Sequence, residues 1–104
     1  MGFEQYHEPA GDLSAEARTL ARIFASLTEE TEALNWYTQR LAVETDAEAK
    51  AIIQNSRHEE MKHFAMDLEF LIRRIPQWRE TLHGVLFQPG DIVQEADVAE
   101  ERSE

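Results

Sequence analysis

The sequence predicts an all-α fold. Each chain forms a two-helix antiparallel hairpin followed by a short C-terminal helix, and two chains dimerise into a four-helix bundle. Two observations predict it: a seven-residue apolar repeat over residues 20–41 and a second apolar stripe over residues 53–75. The connection between the stripes is short, which makes the two helices antiparallel neighbours. The expected organisation is an N-terminal arm over 1–12, a helical hairpin domain over 13–88 and an acidic flexible tail over 89–104.

Composition narrows the possible partners and the compartment. The chain of 104 residues has a formal net charge of -11, which disfavours nucleic acid and anionic membrane surfaces as partners. It has no cysteine, so it forms neither disulfides nor thiolate metal sites. No apolar run is long enough to span a bilayer, and the first residues lack the features of a secretory signal. We therefore expect a cytoplasmic protein that contacts neither membrane nor nucleic acid.

The first long helix follows an irregular arm that contains Pro9 and Gly11. Asp12 or Ser14 can cap it, and we expect it to end between Leu41 and Glu44. A glutamate within its apolar stripe is costly unless it is paired, protonated or bound to a metal. The residues of this stripe, which we call the first seam, are Leu20, Ile23, Leu27, Glu30, Leu34, Tyr37 and Leu41.

The second long helix is expected from about Asp46 to Arg74, since Pro76 disfavours helix at the residue before it. Thr45 and Glu48 have the spacing of a capping box at its start. A third, shorter helix fits residues 77–86. The apolar stripe of the second helix is also interrupted by one glutamate, and this second seam consists of Ile53, Glu60, Phe64, Leu71 and Ile75.

The two seam glutamates are expected to lie at nearly the same height in the hairpin. Glu30 lies 14 residues before Glu44, near the turn, and Glu60 lies 16 residues after it. His63 follows Glu60 by three residues, so both side chains point to one face of the second helix. This Glu-x-x-His pair, facing a single glutamate, is half of the ligand set of di-iron sites in helical bundles.

Dimerisation about a two-fold axis would complete both the core and the ligand set. Two helices cannot bury two apolar faces between them, and a partner copy would supply the second Glu30, Glu60 and His63. Four carboxylates would then balance two ferrous ions. Mixed carboxylate and imidazole ligands suit iron or manganese, and the lack of thiolate argues against structural zinc. The residues themselves therefore predict Fe(II) oxidation at a di-iron site shared between two subunits.

Other interpretations of the same residues stay open at this point. The Glu-x-x-His pair can be a solvated surface pair, which would make the protein a non-enzymatic helical scaffold. It can also belong to another di-iron or di-manganese enzyme that acts on peroxide, oxygen or an organic substrate. A metalloprotease is excluded, because the position that needs its second histidine is Lys62.

Three blocks of residues form a more extended pattern. The first is Glu29-Glu30-x-Glu32-Ala33-Leu34-x-Trp36-Tyr37-x-Gln39-Arg40. The second and third are Asn55-x-x-x-Glu59-Glu60-x-x-His63 and Leu68-Glu69-x-x-x-Arg73-Arg74, with His7-Glu8-Pro9 and Leu86-Phe87 at the two ends. Together these blocks resemble the encapsulated ferritins, and the resemblance covers nearly all of residues 7–90.

The resemblance implies a ferritin-like ferroxidase for iron storage and iron homeostasis. Subunits of this kind pair to complete a di-iron centre, and five such dimers form a ring, a decamer. The ring has no closed cavity, so the oxidised iron would be mineralised inside an encapsulin shell, of which the protein would be a cargo. Members usually carry a short apolar C-terminal tag for this shell, whereas this sequence closes with the polar residues Glu101-Arg102-Ser103-Glu104.

The resemblance also implies roles for individual side chains. Glu30, Glu60 and His63 would be iron ligands, and Tyr37 would be a catalytic neighbour of these ligands. Trp36 would pack nearby. Without the resemblance, Tyr37 and Trp36 fit ordinary packing, and Glu29 and Glu32 fit a solvated helix face. With it, the expected outer metal site on the route inward consists of Glu29 and Glu32.

Overall fold

The computed structural model describes residues 6–103 of the chain. All regular elements in this range are helices, so the all-α prediction is confirmed. None of the helices in this range is both long and apolar enough to cross a membrane. The elements are a 3-10 helix over Ala10–Asp12, α1 over Ala15–Val43, α2 over Ala47–Arg74, α3 over Pro76–Val85 and α4 over Ile92–Ser103.

Helix α1 begins at the cap that the sequence offered. The Ser14 hydroxyl accepts a hydrogen bond from the Ala17 N–H at 3.0 Å, so one of the unpaired donors of the first turn is satisfied. Ser14 is therefore the cap, and Asp12 belongs to the preceding 3-10 helix. The predicted arm over 1–12 is described only from Tyr6 onward, and the part of that prediction covering 1–5 lies outside the described residues.

Helix α2 is capped one residue later than predicted. Asp46 Oδ1, not the Thr45 hydroxyl, accepts from the Ala49 N–H at 2.8 Å, so the capping box expected at Thr45 is wrong. Glu44 Oε2 accepts from the N–H groups of Thr45 and Asp46 at 3.2 and 3.0 Å. These carboxylate acceptors stabilise the short connection between α1 and α2. They bind the backbone N–H groups of the turn and of the first turn of α2.

Helices α1 and α2 run antiparallel, as the short connection predicted. Arg57 Nη1 donates to Thr38 Oγ1 at 3.5 Å near the turn, and Glu30 meets Glu60 further from it. Every residue of the first seam is half-buried and none is fully buried. A single chain therefore directs these side chains inward without enclosing them. Large apolar side chains of these helices also stay exposed, among them Phe24, Trp36, Ile52, Met61 and Met66.

Contacts divide the chain into two units, with the boundary between Leu68 and Glu69. The second unit contains the end of α2 together with α3 and α4, which pack against each other. Leu71 and Ala99 are the fully buried side chains of the described chain, and both belong to this unit. Its core is small, so its packing depends on close contact between backbones.

The acidic tail expected over 89–104 is wrong as a description of 92–103, which form α4. Asp91 Oδ1 accepts from the Gln94 N–H at 3.0 Å and caps this helix. Three of its acidic residues are exposed, whereas Ala96 is half-buried and Ala99 fully buried; the exposed ones are Asp97, Glu100 and Glu101. High acidity made the segment look solvated, but its small apolar residues follow a helical spacing and pack against α3.

Gly84 is a position where α3 and α4 approach closely. A Cβ added there would lie 2.5 Å from the Ala99 Cβ, inside van der Waals contact. We expect Gly84→Ala to lower the free energy of unfolding, since overpacking costs about 1–3 kcal/mol against a gain of about 1 kcal/mol in helix propensity. Urea unfolding of Gly84→Ala and of the double variant with Ala99→Gly measures this. The double variant should regain the free energy of unfolding that Gly84→Ala loses. Equal losses in the single and the double variant would contradict the close approach.

Candidate metal centre

Glu30, Glu60 and His63 lie together, and each offers one ligand atom within 4.8 Å of the others. Glu30 comes from α1, whereas Glu60 and His63 lie one turn apart on α2. Glu60 Oε2 and His63 Nδ1 are 3.8 Å apart. Two ligands of one cation lie within about 4.2 Å of each other, because metal–ligand distances are about 2.1 Å. Small side-chain rotations would thus let all three bind one ion.

The three side chains are half-buried and remain accessible from one side. The Glu60 side chain is 24% exposed and the His63 side chain 43%. Two carboxylates and an imidazole are hard and intermediate ligands, so the donor set fits Fe(II) or Mn(II). One chain supplies three ligand atoms to this cluster, and a cation bound here would keep open coordination positions.

Neighbouring acidic and imidazole side chains on α2 have a different environment. Glu59 Oε2 pairs with Lys62 Nζ at 2.9 Å, and this contact lowers the pKa of Glu59. His58 is exposed. Glu59 and His58 therefore provide a carboxylate and an imidazole next to the cluster but outside it.

The carboxyl group of Glu30 has a perturbed pKa. The pKa is raised from 4.5 to about 7, first by burial, then by a hydrogen bond that the protonated Glu30 carboxyl would donate to Asp67 and by the negative charge of Asp67. Glu60 and Glu29 contribute smaller repulsions. The cluster therefore disfavours negative charge at Glu30 when no cation is present, which is the electrostatic condition of a cation site.

Asp67 interacts with Glu30 beside this cluster and was not singled out from the sequence. It lies one turn beyond His63 on α2, on the face that also carries Glu60. Its Oδ2 and the Oε1 of Glu30 are both shielded from solvent, and neither has a hydrogen-bond donor. The spacing of four residues after His63 was the signal that could have found it, but an aspartate at that spacing is common on solvated helices.

The perturbed Glu30 makes the stability of the metal-free protein depend on pH. Its folded-state pKa is raised, so between about 4.5 and 7 the folded chain binds more protons than the unfolded chain, and stability falls as pH rises. We expect Glu30→Gln to flatten this fall. Thermal unfolding with a chelator across that range tests it, with exposed Glu32→Gln as the control. An identical slope in the parent and Glu30→Gln would contradict the assignment.

The remaining predicted site residues lie outside the three-residue cluster. Glu29 and Glu32 are exposed on α1 on either side of Glu30, so their role as an outer metal site stays a prediction. Tyr37 is half-buried about 10 Å along the helix axis from Glu30, and the Arg40 guanidinium lies 5.4 Å from its ring centre. Trp36 is 49% exposed. The structure thus gathers Glu30, Glu60 and His63 and leaves these four side chains outside.

Comparison with known proteins gives consistent matches over most of the chain. The sequence profile of the family described as EncFtn-like matches residues 5–89. A ferritin-like protein of Thermotoga maritima is 44% identical over 84 residues, which cover 81% of this chain and 74% of that protein. An encapsulated ferritin-like protein of Rhodospirillum rubrum is 42% identical over 99 residues, or 93% of this chain and 71% of the relative.

A solved structure matches as well. The crystal structure of protein ne0167 from Nitrosomonas europaea superimposes with a TM-score of 0.81 at 40% sequence identity. The match covers 86% of this chain and 98% of that chain. The helical arrangement described above is therefore similar to one seen by experiment.

Proposed function

We propose that this chain, which belongs to the EncFtn-like family of encapsulated ferritin-like proteins, is a ferroxidase. It oxidises Fe(II) to Fe(III) with oxygen. The observation that carries the proposal is the convergence of Glu30, Glu60 and His63 from two helices. The family assignment gives an all-α, ferritin-like fold, and among the described residues this cluster is the one group of three acidic or imidazole side chains close enough to hold a metal ion.

A second copy of the chain completes the centre. One chain gathers two carboxylates and one imidazole, too few to hold two iron ions. A two-fold axis beside the cluster doubles this to four carboxylates and two imidazoles, and the charge of the carboxylates then balances two Fe(II). The half-buried first seam supports association, because a partner hairpin would bury what one chain leaves accessible.

The residues of the centre bind and position the substrate iron. Glu30 and Glu60 would supply carboxylate oxygens to the iron, and His63 would supply an imidazole nitrogen from α2. Each of the two Fe(II) gives up one electron, and O2 accepts both electrons together with two protons from solvent and leaves as hydrogen peroxide. Carboxylates favour the more highly charged Fe(III), so the ligand set lowers the free energy of the oxidised state more than that of the reduced state.

The proposal also includes the oligomeric assembly of the protein and its location in the cell. Dimers assemble into a larger ring, most simply of five dimers, and the ring is a cargo of an encapsulin shell in the cytoplasm. There the oxidised iron is stored as mineral. The name of the Rhodospirillum rubrum relative, an encapsulated ferritin-like protein, supports this destination. Glu29 and Glu32 attract Fe(II) from outside toward the centre, with Tyr37 acting beside the ligands.

Anaerobic addition of Fe(II) followed by air tests the activity. A ferroxidase gives a fast rise in ferric absorbance that depends on the protein, whereas a helical scaffold gives only the slow background. A di-iron or di-manganese enzyme for peroxide would turn over faster with peroxide than with oxygen. Faster turnover with oxygen supports the proposal, and the absence of a fast ferric phase would contradict it.

A further inference from the structure

Asp67 occupies a position that the ferroxidase proposal leaves without a role. It follows His63 by four residues and Glu60 by seven, so the three side chains lie along one face of α2. Its side chain reaches the Glu30 carboxyl group of α1. Asp67 thus lies beside the three-residue cluster on the side of Glu30.

The contact between Asp67 and Glu30 is unfavourable without a third group. An ionised carboxylate can only accept hydrogen bonds, and Asp67 Oδ2 and Glu30 Oε1 are both shielded from solvent without a donor. Two shielded acceptors of like charge cost free energy unless a proton or a cation lies between them. A cation between them would satisfy both oxygens at once, and Glu30 itself belongs to the group that Glu60 and His63 complete.

We propose that Asp67 is a further cation ligand of this centre, paired with Glu30, so that each chain contributes three carboxylates and one imidazole. The inference rests on the proposed ferroxidase function for the identity of the cation. It adds a residue to the centre and assigns that residue a preference among oxidation states.

The added carboxylate changes the charge balance toward Fe(III). Without Asp67, the four carboxylates of a dimer balance two Fe(II). With Asp67, six carboxylates balance two Fe(III). Because the attraction between a carboxylate and a cation scales with the cation charge, Asp67 binds a trivalent ion more strongly than a divalent one. Asp67 therefore stabilises the oxidised product relative to the substrate.

Cation affinity of Asp67→Asn measures this without any turnover. The substitution keeps the shape of the side chain and removes its charge. We expect it to weaken binding of Tb(III) by about 10- to 100-fold, the range typical of residues that support a metal site, and to weaken binding of Zn(II) less. Tb(III) luminescence and Zn(II) calorimetry are the readouts. Asp97→Asn, on the exposed side of α4, is the matched control and should retain parental affinity for both ions.

Each outcome decides the proposal. Parental Tb(III) affinity in Asp67→Asn would overturn the ligand role, and equal losses for Tb(III) and Zn(II) would overturn the trivalent preference. If Asp67→Asn does not fold, a crystal structure of the parent protein with Tb(III) decides: an anomalous peak bonded to Asp67 supports the role, and a peak bonded only to the other ligands contradicts it.

The ferroxidase activity and the ligand role of Asp67 can be contradicted independently of each other. A parent that binds Tb(III) through Asp67 but oxidises no Fe(II) would refute the ferroxidase and leave the ligand assignment intact. A parent that oxidises Fe(II) rapidly, with unchanged cation affinity in Asp67→Asn, would refute only the role of Asp67.

Discussion

Alanine in place of Glu30, Glu60 or His63 is expected to lower the rate of Fe(II) oxidation by at least about a hundredfold. Changes at residues that merely support metal ligands cost about 10- to 100-fold, and these three are the proposed ligands themselves. In a two-fold centre each substitution removes two ligands at once. The initial rise of ferric absorbance after mixing with air measures the effect, and metal content by mass spectrometry should fall with it.

The chain contains matched controls for this series next to the ligands. Glu59→Ala removes a carboxylate adjacent to Glu60, but one that is paired with Lys62 outside the cluster. His58→Ala removes an exposed imidazole five residues before His63. Both control variants should oxidise Fe(II) at nearly the parental rate. Parental rates in all three ligand variants, or equal losses in the controls, would show that the cluster is not the centre.

An equal mixture of parent and Glu60→Ala chains is expected to retain about a quarter of the parental activity per total chain. If a centre needs both halves of a two-fold dimer, random pairing leaves only about one dimer in four with two intact halves. A centre contained within one chain would instead retain about half. Activity measured over a series of mixing ratios separates a quadratic from a linear dependence.

Two checks make the mixing experiment decisive. Native mass spectrometry with one isotope-labelled chain establishes that mixed dimers have formed in the expected proportions. Mixing the parent with Glu59→Ala, whose change lies outside the cluster, should leave activity unchanged at every ratio. A linear loss with Glu60→Ala, in a mixture known to contain mixed dimers, contradicts a shared centre.

The hairpin was predictable because its signals are local or periodic. The first seam repeats every seven residues and predicts α1, and the structure places all seven of its residues in half-buried positions. Pro76 ended α2 at Arg74, as the constraint on the residue before proline requires. The position of the α2 cap was off by one residue, since Thr45 and Asp46 both carry suitable acceptors and only the turn geometry chooses between them.

Helix α4 was missed because its stability depends on a contact that is distant in sequence. Its acidic composition indicated a solvated tail, and two of its largest apolar residues, Ile92 and Val93, are exposed in this chain. It is held by the close fit of Ala99 against Gly84 and by hydrogen bonds of Gln77 and Thr81 of α3 with Ser103. Asp91 after Pro89-Gly90 was a readable cap signal, but a cap does not reveal the surface that a helix packs against.

The candidate centre was predictable in part, for a geometric reason. Counting residues from the turn placed Glu30 and Glu60 at one height, and helical spacing brought His63 to the same face; the structure has all three together. Asp67 was not found, because its significance comes from a shielded carboxyl oxygen without a hydrogen-bond partner and from its interaction with Glu30 of α1. The roles of the three residues as iron ligands remain predictions for the experiments above.

Native mass spectrometry of the intact chain, with and without Fe(II) under anaerobic conditions, tests the shared centre most directly. The account predicts metal-bound species only for dimers and their multiples, with two ions per dimer and none retained by monomers. Monomers that bind iron as tightly as the assembled protein would contradict it, since each chain would then hold a complete centre of its own.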